Sequence, residues 1–308
     1  MRKVALHHVH LLAKKDPRVF FIGSDLGVGT LEGFKAEFPD RFLMEGISEA
    51  NVVGMAAGMA LEGKIVYINT IATFLTRRAF EQVCLDLCLH NLPVRLIGNG
   101  GGMVYAPLGP THMATDDMAI MRALPNMTVI APCDALEMAN MMPLTLDWPG
   151  PVYIRLAKGG DPVVSLPPGP GAIGKSILAR DGGDAMIVTT GVMLKVGLDA
   201  AHLLAAQGVE ARVVHVPTVK PLDGHALLKY AHDVRAIVTV EEHSVVGGLG
   251  SAVAELIAES GLRTPILMRR LGVPDVFPAG YGSQEHLLRR YGLTADGVAG
   301  VVSSLLSA

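Results

Sequence analysis

The chain has 308 residues; half of them are hydrophobic, 18% are charged, and the formal net charge is −3. This composition predicts a compact protein with room for two domains. Its Lys and Arg residues form no basic stripe suited to nucleic acid, and Gly, Pro or charge interrupts each apolar run before it reaches the roughly 18 residues of a membrane span. We therefore expect small-molecule chemistry or contact with another protein.

The cysteines and the first helix indicate the compartment. Cys84, Cys88 and Cys133 are too few and too odd in number for a disulfide framework, which fits a reducing cytoplasm. Residues 1–15 predict an amphipathic helix rather than a secretion signal, because histidines break the apolar stretch. Cys84 and Cys88 could hold a metal with His90, but no fourth ligand is in sight, so buried packing is the simpler interpretation.

Strand and helix patterns alternate through the first half of the chain. This alternation predicts βαβ units around a mostly parallel sheet. Glu49 opens a predicted helix, Ala50–Leu61, whose small residues suit close packing at an interface. Asp134 and Glu137 form a capping-box pattern at a later helix. The predicted strands are Val19–Ile22, Ile65–Ile71, Val94–Gly98, Met127–Ala131 and Val152–Arg155.

A segment rich in Pro and Gly divides the chain, because these residues deny continuity to both helix and sheet. We predict a first domain over residues 1–165, a linker over 166–174 and a second domain over 175–308. The fold class is therefore α/β, with two doubly wound domains. The second series comprises strands Ala185–Thr190, Ala211–His215 and Ala236–Glu241 and helices Met193–Gln207, Ala226–Ala231 and one after Gly250.

Three segments have the composition of functional sites. Glu49 lies at the edge of an apolar helix, where burial of a carboxylate requires a partner; a satisfied residue at a helix N-terminus is the alternative. A turn delivers His112 to the sheet edge, although an exposed loop histidine would look the same. The glycines of residues 247–251 follow a strand and could bind an anion through their amides, or form only a tight turn.

The order of these segments resembles the transketolase superfamily over essentially the whole chain. The resemblance is to the pyrimidine-binding and C-terminal domains, so it implies thiamine diphosphate as cofactor. The matching stretches are FIGSDLG around Asp25, FLMEGISEANVVGMAAGMAL around Glu49, ATFLTRRAFEQV around Phe74, LGPTHMATDDMAIMRALPNMTVIAPCD around His112, and VTVEEHSVVGGLGSAVAE.

The resemblance also implies roles for single residues. Glu49 matches the carboxyl that activates the cofactor through its aminopyrimidine, and Phe74 matches the aromatic residue that stacks on that ring. His112 matches the histidine that stabilises charge on substrate oxygens. Asp25 matches an acidic residue on the cofactor side of the subunit contact.

The substrate pocket departs from ordinary transketolases. Leu108 replaces an Asp that reads acceptor hydroxyls, and Lys158 stands where a phosphate-binding Arg is usual. Arg77, three residues after Phe74, matches a substrate-contacting arginine of deoxyxylulose-phosphate synthases. With Arg155 these cations predict an anionic acceptor. Surface or interdomain ion pairs are the alternative for Arg155 and Lys158.

The family's diphosphate-binding domain has no counterpart in this sequence. The resemblance therefore implies a partner subunit, the N-terminal half of a split transketolase, that holds the diphosphate and its Mg²⁺ within a two-plus-two heterotetramer. The implied reaction transfers a two-carbon ketol unit from a ketose to an aldehyde. One alternative is a subunit of a deoxyxylulose-phosphate-synthase-like or 2-oxo acid dehydrogenase-like enzyme that decarboxylates a 2-oxo acid. A non-catalytic scaffold is the other.

Overall fold

A computed structural model describes residues 1–24, 29, 31–157, 159–165, 172–261 and 266–308. The first half contains strands β1 (Val19–Gly23), β2 (Phe42–Met44), β3 (Ile65–Ile71), β4 (Val94–Asn99), β5 (Thr128–Ile130) and β6 (Val152–Leu156). Its helices are α1 (Arg2–Lys15), α2 (Glu32–Glu37), α3 (Glu49–Leu61), α4 (Phe80–Gln82), α5 (Asp117–Ala123) and α6 (Ala135–Met141). Short 3₁₀ turns cover Pro39–Arg41, Ala106–Leu108 and Met142–Thr145, and π turns cover Phe74–Arg78 and Val83–Leu89.

The second half repeats the alternation of strand and helix. Its strands are β7 (Ile177–Arg180), β8 (Ala185–Thr189), β9 (Ala211–His215), β10 (Thr218–Lys220), β11 (Ala236–Ser244) and β12 (Leu267–Val273). Its helices are α7 (Met193–Ala205), α8 (Gly224–Ala231), α9 (Leu249–Glu259), α10 (Gln284–Arg290) and α11 (Ala295–Leu306).

Two sheets form among the described residues. The first has seven strands in the order β10-β5-β6-β4-β3-β1-β2, and the second has five in the order β12-β11-β8-β9-β7. Most neighbouring strands are parallel, while β10 and β7 pair antiparallel with β5 and β9. Helices pack on both faces of the first sheet, so its central strands are almost continuously apolar and buried. The predicted α/β class with two parallel-dominated sheets is confirmed.

The predicted strands agree with the observed ones to within a few residues, but four short or edge strands were not predicted. These are β2, β7, β10 and β12. Strand β10 follows the predicted linker in sequence yet completes the sheet of the first domain. Residues 166–171 of the linker lie outside the described residues, so the boundary at 166–174 stays a prediction.

Helix α3 buries only one of its faces. Val53 and Ala56 pack into the core beside β3, whereas Asn51 and Gly58 are exposed. At Gly54 and Gly58 no described atom lies within 4 Å of the position that a Cβ would take. The open face is compatible with the predicted role of this helix at an interface, which stays a prediction. In the part of the chain that the structure describes, we find no helix both long and apolar enough to cross a membrane.

Candidate active site

The candidate residues gather at one edge of the first sheet. Strands β2, β1, β3 and β4 are neighbours and run parallel, so their carboxyl ends meet at the same edge. Glu49 follows β2, Phe74 follows β3 and His112 lies beyond β4. This edge is where parallel α/β sheets bind ligands.

Glu49 and Phe74 are joined by one arginine. The Glu49 side chain is only 5% exposed, and Arg78 Nη1 donates a hydrogen bond to its Oε2 at 3.2 Å. The guanidinium carbon of Arg78 lies 3.9 Å from the centre of the Phe74 ring. A buried carboxylate and an aromatic face therefore contact the same planar cation.

His112 completes this cluster beside Phe74. The two rings meet edge to face, with centroids 5.2 Å apart. Thr111 Oγ1 is 2.9 Å from Nδ1 of His112, and the preceding turn passes through Gly109 at φ +80°. A Cβ at Gly109 would come within 2.8 Å of the Tyr281 ring, so glycine allows the turn to lie against the second domain.

Arg77 pairs with Asp116. Its Nε and Nη2 donate to both carboxylate oxygens of Asp116, with distances of 2.9 and 2.8 Å for the shortest bond of each nitrogen. Nη2 also donates to the carbonyl of Met113 at 3.2 Å. Arg77 therefore holds the segment that follows His112, and the structure does not bring its guanidinium onto the ring of Phe74.

A π turn explains why Arg78, not Arg77, faces Phe74. Residues Phe74–Arg78 form a π turn, which has more residues per turn than an α-helix. The residue four after Phe74, which is Arg78, therefore lies over the Phe74 ring, and the residue three after it, Arg77, does not. The sequence analysis named Arg77 on the basis of the family resemblance and missed Arg78. The available signal was a second arginine directly after Arg77.

The Glu49–Phe74 pair fits the ring of the cofactor that the resemblance implies. The face of Phe74 accepts a flat group, since the Arg78 guanidinium lies over it. The same group donates an N–H to the buried Glu49 carboxylate. An aminopyrimidine offers the same two features, a flat face and polar edge atoms.

Arg155 is buried in the contact between the domains. Its Nε donates to Oδ2 of Asp117 at 2.8 Å, and its Nη2 donates to the carbonyls of Ala114 and Glu242 at 3.1 and 2.9 Å. Burial is the largest influence on Asp117 and opposes its ionisation, but the charges of Arg155 and His243 and the hydrogen bonds from Arg155 and Tyr153 together outweigh it and lower the pKa of that carboxyl. Arg155 therefore forms a buried ion pair within the first domain, and its hydrogen bond to the carbonyl of Glu242 crosses to the second domain.

The glycine-rich turn at residues 247–251 already holds an anion from this chain. The amides of Leu249 and Gly250 donate to the two carboxylate oxygens of Glu241 at 2.7 and 2.8 Å. Burial outweighs these bonds and raises the pKa of Glu241. Because Glu241 already accepts from these two amides, the tight-turn interpretation of the glycines is favoured over binding of an external anion.

Other candidate residues divide into two groups. Asp25 and Lys158 lie outside the described residues, so their predicted roles stay predictions. The cysteines Cys84, Cys88 and Cys133 are free thiols, and burial raises the pKa of Cys88 to about 12. Cys133 lies instead beside an interdomain pair in which His215 Nε2 is 3.0 Å from Oε2 of Glu137.

Comparisons with known proteins match both halves of the chain. The family model "Transketolase, pyrimidine binding domain" matches residues 1–160, and "Transketolase, C-terminal domain" matches residues 174–298. The 6-deoxy-6-sulfo-D-fructose transketolase subunit SqwH of Clostridium sp. strain MSTE9 is 39% identical, over 92% of this chain and 87% of that protein. An apulose-4-phosphate transketolase subunit of Actinobacillus succinogenes is 38% identical, over 88% of this chain and 87% of that protein.

A solved structure resembles the whole fold. It is described as "Split gene transketolase, inactive beta4 tetramer", and it aligns with a TM-score of 0.91 at 38% identity, covering 99% of this chain and 98% of its own. Complete 1-deoxy-D-xylulose-5-phosphate synthases also match, but this chain spans less than half of their length.

Proposed function

The chain belongs to the transketolase family and corresponds to the C-terminal subunit of its split enzymes, and from this premise we propose that Glu49, Phe74 and His112 form the pyrimidine half of a thiamine diphosphate site. The observation that carries the proposal is the pairing of a buried carboxylate with an aromatic face around one planar nitrogen group. The reaction is transfer of a two-carbon ketol unit from a ketose to an aldehyde.

Each residue has a separate task in this site. Glu49 hydrogen-bonds the ring nitrogen of the aminopyrimidine and favours the tautomer that acts as internal base. Phe74 stacks on the same ring and excludes water from it. His112, edge to face with Phe74, hydrogen-bonds a substrate oxygen that gains charge. When bound, thiamine diphosphate supplies the nucleophilic carbon that accepts the ketol unit.

The second half of the site comes from a partner subunit. Both transketolase relatives are named as subunits, and the matching solved structure of β chains alone is described as inactive. We place the diphosphate and its Mg²⁺ on an N-terminal-half subunit, because the two family domains that this chain matches are the pyrimidine-binding and the C-terminal domain. Two copies of each subunit form the active heterotetramer.

An anionic sugar is the substrate class that best fits this chain. The names of the two relatives specify a sulfonated and a phosphorylated sugar. In this chain the Arg78 guanidinium lies over the Phe74 ring, and Arg77, which pairs with Asp116, and Lys158 are further candidates for the same anion. The exposed Leu108 cannot read a hydroxyl as an Asp would, so the acceptor needs no particular hydroxyl configuration there.

Reconstitution tests the proposal. This chain would be mixed with a candidate diphosphate-domain subunit from the same genome, with thiamine diphosphate and Mg²⁺, and incubated with a ketose phosphate, hydroxypyruvate or pyruvate. We expect no turnover by either chain alone and ketol transfer by the mixture. Consumption of pyruvate with loss of CO₂ would support the decarboxylating alternative instead.

Binding measurements provide the control. Calorimetry should detect no micromolar binding of thiamine diphosphate by the isolated chain, and micromolar binding by the complex. Tight binding by the isolated chain would contradict the split site. A complex that assembles but neither binds the cofactor nor turns over would support the scaffold alternative.

A further inference from the structure

Arg78 lies at the position that the proposed half-site gives to a flat ring. Its guanidinium makes two contacts, one to the face of Phe74 and one to the buried Glu49 carboxylate. We propose that the Arg78 side chain is a stand-in for the aminopyrimidine. Arg78 occupies the half-site before the cofactor binds and rotates out of it when the cofactor binds. This inference rests on the proposed thiamine diphosphate site.

The chemistry of the guanidinium suits this role. It is planar and delocalised, it stacks on aromatic faces, and its N–H donors lie in the plane. Against Phe74 its carbon is at 3.9 Å, and its Nη1 reaches Glu49 Oε2 at 3.2 Å. An aminopyrimidine uses the same combination of stacking and in-plane hydrogen bonding, so both groups compete for one place.

The buried Glu49 carboxylate needs a partner when no cofactor is bound. A carboxylate that is only 5% exposed is costly to leave without a partner. The positive charge of Arg78 compensates it, and the stacked guanidinium covers the Phe74 face. Arg78 therefore stabilises the half-site in the form that precedes cofactor binding.

Displacing the Arg78 guanidinium from Glu49 and Phe74 also costs little free energy. Its side chain is 49% exposed, so the guanidinium can turn into water and remain solvated. In the part of the chain that the structure describes, this guanidinium contacts Glu49 and Phe74. Each such contact at a partly exposed site is weak enough to be exchanged for a ligand.

The competition reduces the apparent affinity for the cofactor. If only a fraction of the subunits has Arg78 swung out, the apparent dissociation constant rises by the inverse of that fraction. Loss of one exposed ion pair and one cation–π contact corresponds to about a five- to thirtyfold change in a binding constant. Arg78→Ala should therefore tighten cofactor binding by this factor.

The experiment measures the dissociation constant of thiamine diphosphate, with Mg²⁺, for the complex reconstituted with its diphosphate-domain subunit. Arg78→Ala should bind about five- to thirtyfold more tightly than wild type. Arg78→Lys keeps the charge but cannot stack, so it should bind about threefold more tightly. Arg77→Ala is the matched control, because it removes the adjacent cation that pairs with Asp116 instead, and it should not tighten binding.

The outcomes distinguish a failure of the Arg78 role from a failure of the proposed thiamine diphosphate site. Unchanged or weaker binding by Arg78→Ala overturns the stand-in role, since Arg78 would then be structural or a ligand of the cofactor. If that variant does not fold, Arg78→Lys with wild-type affinity overturns it. A wild-type complex that does not bind thiamine diphosphate, or a Phe74→Ala complex that binds it as well as wild type, refutes the proposed function itself.

Discussion

Glu49 is the residue on which the proposed chemistry depends. It opens α3 shortly after the short strand β2, so the fold delivers its carboxylate to the edge where β1 and β3 also end. It lies in the first turn of α3, and Arg78 forms an ion pair with it. In the proposed site, this carboxylate would exchange Arg78 for the aminopyrimidine ring.

At the residue scale, we predict that Glu49→Gln abolishes most of the activity of the reconstituted complex. An amide cannot exchange a carboxyl proton with the aminopyrimidine nitrogen, so kcat should fall about a thousandfold, or about 4 kcal/mol of barrier. The measurement is steady-state ketol transfer, with assembly checked by size-exclusion chromatography.

Glu45→Gln is the matched control, because Glu45 is an exposed carboxylate four residues earlier. It should retain activity close to wild type. An assembled Glu49→Gln complex with wild-type kcat would remove Glu49 from the mechanism.

The start of α6 is the element that ties the end of the first domain to its core. The buried Asp134 carboxylate accepts hydrogen bonds from the amides of Leu136 and Glu137, as the sequence pattern predicts. It also accepts from the amides of Val164 and Ser165, at 2.8 and 2.6 Å. The Glu137 carboxylate does not close the capping box but accepts from the amide of Cys133.

At the element scale, we predict that Asp134→Ala lowers the free energy of unfolding by about 2–4 kcal/mol, because a helix cap and three hydrogen bonds from Val164 and Ser165 are lost together. The measurement is chemical denaturation of the isolated chain. Thr294→Ala is the control, since Thr294 caps α11 by accepting one bond from Gly297 and should cost about 1 kcal/mol. Equal costs for the two variants would show that the bonds to Val164 and Ser165 contribute nothing.

The contact between the domains is built from buried polar groups. Glu242 of β11 accepts a hydrogen bond from the amide of Met103 in the first domain at 2.7 Å. Gln284 donates to both of its carboxylate oxygens at 2.9 Å. The amide of Ser244 donates to the carbonyl of Thr115 at 2.7 Å. These bonds hold the segment that carries His112 against the second domain, which thereby positions the candidate site without contributing Glu49 or Phe74.

At the scale of the whole molecule, we predict that the stability of the chain depends on the protonation of Glu242. Burial, opposed by the charge of Arg155 and by hydrogen bonds, raises the pKa of Glu242 from 4.5 to about 7. Between these values the folded chain binds the proton more tightly than the unfolded chain. The free energy of unfolding therefore falls as pH rises from about 4.5 to about 7, by about 3 kcal/mol for this group.

Denaturation of the isolated chain at pH 5 and pH 8 checks this prediction. Glu242→Gln cannot ionise, and its amide oxygen can still accept from Met103, so between the two pH values its free energy of unfolding should fall by about 2.5 kcal/mol less than that of wild type. Glu259→Gln, which changes an exposed carboxyl, should behave as wild type. An identical pH dependence for Glu242→Gln and wild type would exclude Glu242 as the titrating group.

Local patterns alone determined the order of strands and helices, the cap at Asp134 and the place of Glu49 at the start of α3, because hydrophobic period and capping chemistry act over a few residues. The tertiary structure decided which side chains meet. The π turn brings Arg78 rather than Arg77 onto Phe74, and the carboxylate of Glu241 fills the amides of the glycine-rich turn.

Arg155 shows the same division between sequence and structure. Its sequence position allowed a substrate contact or a surface or interdomain ion pair. The structure instead pairs it with Asp117 inside the first domain, and β11 of the second domain adds the carbonyl of Glu242. Such contacts join residues far apart in the chain, and a carbonyl such as that of Glu242 accepts hydrogen bonds whatever its side chain. No local pattern could predict them, because the partners are chosen by how the two sheets pack.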